Sequence, residues 1–180
     1  GLSLYEKMVN DDPQAFINLL NDDPDKIKNL LTTDQIVNFE ALANNKITKL
    51  QNAEIALLKA QASSLNSFYN DEKKLLTNIT RANLPELNAA LEQAQNLKLP
   101  GTDDVYDPEL VANLEALISL VDIVDQFKTL NHTQGKQTIQ ELEEDYNNRY
   151  DEGEVLSTFD DLRLQIFKSI NKDMTNNIND

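Results

Sequence analysis

Between Thr32 and Leu84 the chain runs for fifty-three residues without a Gly, a Pro or a Cys. Apolar side chains recur through it at threes and fours: Ile36, Phe39, Ala43, Ile47, Leu50, Leu57, Leu58, Leu65, Phe68, Leu75, Leu76 and Ile79. That spacing gathers them on one face of a helix, where a strand would need strict alternation. Thr32 and Gln35 have the spacing of a capping box, which places the helix start. Unbroken to Asn83, the helix would span roughly 75 Å at 1.5 Å per residue. A compact domain of this chain length has a radius of gyration of only about 16 Å. The expected solution is an elongated bundle with the helix intact or bent. Its weakest place is Ser63–Asp71, where poor helix formers gather.

Ahead of this helix lies an internal repeat. Asn10–Leu20 reads NDDPQAFINLL and Asn21–Leu31 reads NDDPDKIKNLL, identical at seven of eleven positions. Each copy carries an Asp at N-cap (Asp12, Asp23) and a Pro at N1 (Pro13, Pro24). Two short helices follow, about 13–20 and 24–31. Two copies are too few for a solenoid, so they read as an elbow whose Phe16, Leu19, Leu20, Ile27, Leu30 and Leu31 cover one end of the bundle.

Behind the long helix, Pro85 predicts a kink or stop near Ala82–Leu84, with the helix resuming from Glu86 to about Leu97. Pro100–Asp107 (PGTDDVYD) reads as a loop, and Asp107 then caps a helix over about 108–130 with Pro108 at N1. This is the most hydrophobic segment. Its polar arc is narrow (Glu115, Ser119, Asp122, Gln126), which predicts a central position. Asn131–Gly135 reads as a second loop, followed by a helix over about 136–151 with Ile139, Leu142, Tyr146 and Tyr150 on one face. Asp151–Ser157 is the third loop. The last helix runs over about 158–174, buried through Phe159, Leu162, Ile166, Phe167 and Ile170, and 175–180 should fray.

Charge excludes several partners. Asp and Glu outnumber Lys and Arg 31 to 16, giving a formal charge of −15 and a pI near 4.3. The acidic residues are spread along the chain, and the three Arg (Arg81, Arg149, Arg163) form no patch. Such a surface repels phosphate backbones and anionic lipid heads, so no nucleic acid is expected as partner. No apolar run reaches membrane-spanning length, so this segment is not expected to insert into a membrane directly. The absence of Cys removes disulfides, thiolate metal sites and Cys nucleophiles.

The remaining chemistry is thin. His132 is the only histidine and reads as an exposed loop residue. Alone it cannot build the paired Glu-x-x-His sites of carboxylate-bridged di-iron bundles or, without a nucleophile motif, a Ser-His-Asp triad. The carboxylate clusters Asp11–Asp12, Asp22–Asp23–Asp25, Asp103–Asp104–Asp107 and Asp151–Glu152–Glu154 suit oxygen-seeking calcium in principle, but none has the EF-hand spacing. The first two read as caps and the others as solvated loops. Asp125 projects into the apolar arc of the central helix, with Lys128 at i+3 to pair with it. Asn78-Ile79-Thr80 and Asn131-His132-Thr133 match the glycosylation sequon, relevant only to a secreted eukaryotic protein. Tyr146 and Tyr150 are expected at the core edge with their hydroxyls reaching water.

The expected fold is therefore all-α: an elongated up-down helical bundle of about four long helices with two short N-terminal helices. It reads as a single helical domain over 1–180. Residues 1–31 form a short helical repeat capping the bundle, 32–174 the bundle and 175–180 a frayed tail. No enzyme activity is expected, and no catalytic, cofactor-binding or metal-binding residue is assigned. The expected function is a non-enzymatic protein–protein interaction or scaffold module. The chain opens on Gly1 and not Met: a removed signal peptide ending near Leu2 or trimming to one domain would each explain this, and the first, favoured here, gives an extracytoplasmic or envelope-associated place in a bacterium, as a lipoprotein without its anchor. A cytoplasmic helical adaptor or subunit of a coiled-coil assembly is the alternative, and a carboxylate-only metal-binding bundle a further one. The partner is expected to be a protein, and self-association is also expected because a long helix can outrun its neighbours and leave apolar surface to cover.

Overall fold

The computed structural model describes the backbone of residues 2–78 and 82–179, and the side chains of residues 4–78 and 82–174. The protein is all-α. Eight helices and no strand are found among the described residues, with one isolated antiparallel bridge between Lys98 and Val105. The chain divides into two compact units, Gly1–Leu57 and Leu58–Asp180.

The first unit is built from α1 (Leu2–Asp11), α2 (Pro13–Asp22), α3 (Pro24–Lys28) and the beginning of α4 (Thr33–Thr77). The repeat yields the two Asp-Pro starts expected of it. Asp12 accepts the Ala15 N–H at 3.1 Å, while Asp23 makes no side-chain cap bond. The second copy is also shorter, ending at Lys28 and not near 31. Helix α1 was not foreseen. It carries Tyr5 and Val9 one turn apart, both buried. Phe16 sits between Tyr5 and Phe39, with edge-to-face ring centroids 6.2 and 6.1 Å away. Ile27, Leu31 and Ala43 complete a small core of their own.

Helix α4 is 45 residues long. Its start is the expected capping box: the Thr32 N–H donates to Gln35 Oε1 at 2.9 Å, and the Gln35 N–H donates to Thr32 Oγ1 at 3.2 Å. Ser63–Asp71 stays helical despite its propensities, because Ala62, Tyr69 and Leu76 are buried in the second unit's core. The helix ends at Thr77, earlier than the expected Ala82–Leu84. Ile79 lies outside the described residues.

In the second unit α5 (Leu84–Asn96) begins two residues before the expected Glu86. Asn83 caps it, and Pro85 falls in the first turn, where a missing N–H costs nothing. Between α5 and α6 (Pro108–Phe127) the expected loop has order of its own. The Tyr106 N–H donates to the Leu97 carbonyl at 2.7 Å and the Leu99 N–H to that of Asp104 at 2.9 Å, closed by Gly101 at a φ of +73°. Asp107 caps α6 as expected, accepting the Leu110 N–H at 3.0 Å. Leu114, Leu117, Leu120, Val121 and Val124 are fully buried, and α6 packs against both α5 and α8 (Thr158–Asn179). Helix α8 also packs against α7 (His132–Asp151).

Two boundaries here correct the sequence reading. Asn131–Gly135 is no loop: Asn131 and Gln134 form a reciprocal capping box and α7 starts at His132, four residues early. Gly135 is helical and buried because α8 crosses it closely. A Cβ there would lie 2.5 Å from Asn171 Oδ1 and 3.2 Å from Phe127 Cζ. At the other end α8 continues to Asn179, past the expected stop at 174.

Candidate functional site

The residues singled out for chemistry do not converge. His132 is the first residue of α7 and half-buried. Of the acidic clusters, Asp12 and Asp107 cap helices and Glu154 pairs with Arg149 at 2.8 Å, whereas Asp23 makes no side-chain cap bond. Among the described residues no three His, Cys, Asp or Glu side chains are grouped as a metal site. Asp125 is half-buried and its charge acts on Lys128, as expected of the i+3 pair. Burial lowers the Lys128 pKa and Asp125 works against that shift. The Lys128 ammonium donates to the Asn78 carbonyl, so it also satisfies the chain just past the end of α4. Of the two sequons, Ile79 and Thr80 of the first lie outside the described residues. The Asn131 side chain of the second is engaged in capping α7.

The densest polar arrangement was not anticipated. It joins the end of α7 to the start of α8 and uses two of the three Arg. Arg149 donates to Asp160 Oδ2 at 2.9 Å and to Glu154 Oε2 at 2.8 Å. Ser157 caps α8: its hydroxyl accepts the Asp160 N–H at 3.1 Å and donates to Asp160 Oδ2 at 3.0 Å. Burial alone would raise the Asp160 pKa, but the bonds from Arg149 and Ser157 outweigh it and hold the carboxyl below its usual value. Tyr146 is buried here and does not reach water. Its hydroxyl donates to the Asp160 carbonyl at 3.1 Å and accepts from Arg163 at 2.9 Å. Desolvation raises its pKa, partly opposed by Arg163. Tyr150, one turn on, is 74% exposed. Every charge of this network meets a partner, so it braces a corner and offers no spare acid or base. Its local sequence signal is the Ser157-x-x-Asp160 spacing, which lies between Arg149 and Arg163.

Two surface features remain as candidates. In the first unit α4 is exposed at every position from Thr48 to Leu57. Leu50 and Leu57 are 58% and 60% exposed, and Leu42 lies on the same side of the helix. In the second unit a groove of about 510 Å³ lies between the last turns of α4 and the middle of α8, lined among others by Lys73, Lys74, Gln165 and Ser169. No described helix is long and apolar enough to cross a membrane. Comparison with known proteins finds no match to a family model, to a curated protein or to a solved structure.

Proposed function

We propose that this chain is a non-enzymatic helical scaffold or interaction module, with an up-down bundle in its second unit, and that the bare part of α4 in the first unit meets a protein partner. One observation carries this reading: ten consecutive exposed residues, Thr48–Leu57, contain Leu50, Ile55 and Leu57, each at least 44% exposed. Single exposed leucines are ordinary on any surface. A stripe of them at i and i+7 on an unpacked helix is the spacing at which a second amphipathic helix reads its anchors. Lys46 and Glu54 lie one turn to either side of Leu50, so the stripe carries a charge of each sign between its apolar anchors.

A photoreactive residue placed at Leu50 tests this in the cells that make the protein. The expected result is adducts with one protein species, which disappear when Leu57→Glu is added. The reading fails if Leu50 yields the same diffuse adducts as a photoreactive residue at Gln93, an exposed polar position on α5. Adducts only with a second copy of the chain would make the partner a self-association.

A further inference from the structure

We propose that the groove between α4 and α8 in the second unit binds a small oxyanion, a phosphate or carboxylate group carried by a small ligand. The argument begins with composition. Carboxylates outnumber cations 31 to 16 in this chain, yet among the described residues the groove lining contains none. It holds two ammonium groups, Lys73 and Lys74, and neutral donors from Asn70, Gln165 and Ser169, over the buried side chain of Ile166. These are the groups that replace water around an oxyanion: point charges for its charge, amides and hydroxyls for its remaining lone pairs. The volume of about 510 Å³ lies in the range of small-ligand sites.

The geometry adds order to the composition. Lys73 reaches across to α8 and donates to Gln165 Oε1 at 2.9 Å, so its ammonium already stands over the groove with only part of its donor capacity used. A helix C-terminus nearby would ordinarily disfavour an anion. Here the Asn78 carbonyl at that end accepts from the Lys128 ammonium, whose charge also faces Asp125. Asp161 and Asp173 lie one turn to either side on α8 and are exposed to solvent. The chain's overall charge of −15 acts through water, and salt screens it beyond about 8 Å at physiological ionic strength. Long-range repulsion then lowers the rate of encounter, while the lining decides what stays.

The test uses the full chain, inorganic phosphate and citrate as probes, and sodium chloride at matched ionic strength as control, followed by backbone amide NMR shifts. The expected result is a saturable shift confined to residues 70–78 and 165–169 with at least one probe. Lys73→Gln with Lys74→Gln should weaken it roughly tenfold or more. Lys136→Gln with Lys172→Gln, which removes two lysines from a different groove of the same unit, should leave it unchanged. The proposal is overturned if the shifts grow linearly without saturating, if sodium chloride reproduces them, or if both lysine pairs weaken them equally. A response to phosphate alone identifies the ligand group as phosphate, and a response to citrate alone as carboxylate.

Discussion

Gly135→Ala should destabilise the second unit, although in an ordinary helix it would do the opposite. Replacing a helical Gly by Ala usually gains about 0.8–1 kcal/mol through propensity. At Gly135 the new Cβ would lie 2.5 Å from Asn171 Oδ1, well inside contact distance, with Phe127 Cζ behind it at 3.2 Å. Asn171 is only 8% exposed and has little room to rotate away. The Phe127 ring is stacked on Phe167 at a centroid distance of 4.0 Å and is equally confined. Forcing a methyl into such a place costs about 1–3 kcal/mol. The balance is a net loss of up to about 2 kcal/mol, with a melting temperature lower by about 2–4 °C for each kcal/mol lost in a chain of this size. Urea unfolding followed by circular dichroism gives the free energy. The decisive measurement is the double-mutant cycle with Asn171→Ala, which removes the nearest atom. In that background Gly135→Ala should cost less than in the parent, a coupling of about 0.5–2 kcal/mol. If Gly135→Ala stabilises the parent protein, or if its cost is the same in both backgrounds, the close crossing of α7 and α8 is not what holds a Gly at this position.

Asp160→Asn should cost about 1.5–3 kcal/mol, the range for hydrogen bonds to a charged group. Its pH dependence has a definite sign. The folded pKa of Asp160 is depressed, so its contribution is fully present above the unfolded value near 3.9 and is lost as pH falls through the folded value. Part of the acid-side loss of stability should therefore vanish in the Asn variant, and an unchanged slope below about pH 4 would contradict this. Phe16→Ala should cost about 3–5 kcal/mol and unfold α1–α3. Hydrogen exchange would then show their protection lost while the second core, which shares no buried residue with the first, keeps its own. Ala53→Gly with Ala56→Gly, at exposed positions, should destabilise α4 locally by about 1 kcal/mol each. Amides 48–60 would exchange faster, and unchanged exchange would mean that something unseen covers the helix.

The parts of the fold legible in the sequence were those set by local chemistry. Thr32–Gln35, Asp12-Pro13 and Asp107-Pro108 each satisfy orphan N–H groups within one turn, and all three appear where the spacing puts them. The misses occurred where contacts distant in sequence decide. Gly135 looks like punctuation until α8 is seen to cross it. The one local exception is Asn131–Gln134, whose capping-box spacing matches that of Thr32–Gln35 but is masked by the Gly behind it. Helix α1 has too few residues for a periodicity argument, and its Tyr5 and Val9 gain their meaning only from Phe16. Tyr146 and Tyr150 share a face by spacing, yet one is buried under two Arg and the other stands in water. The candidate groove was illegible for the same reason: Lys73 and Gln165 are 92 positions apart, and no local pattern announces that they meet.

The exposed run of α4 shows how much of this helix packing does not explain. Ile36, Phe39 and Ala43 of α4 pack in the first core and residues 62–76 in the second, while every residue from 48 to 57 is exposed. An isolated ten-residue helix would be marginal in water because nucleation is unfavourable. Here the packed turns on either side supply the nucleus, and only propagation is needed. The residues present suit propagation: Lys49, Leu50, Gln51, Ala53, Glu54, Ala56 and Leu57 are good helix formers, and no Gly or Pro interrupts them. Solubility alone would be served as well by Lys, Glu or Gln at positions 50 and 57, which have similar propensity. Leucine at both places contributes little to the packing of this chain, since each leaves more than half its surface in water. A partner that covers the stripe would account for both leucines, which is why Leu50 and Leu57 are where the interaction reading is tested.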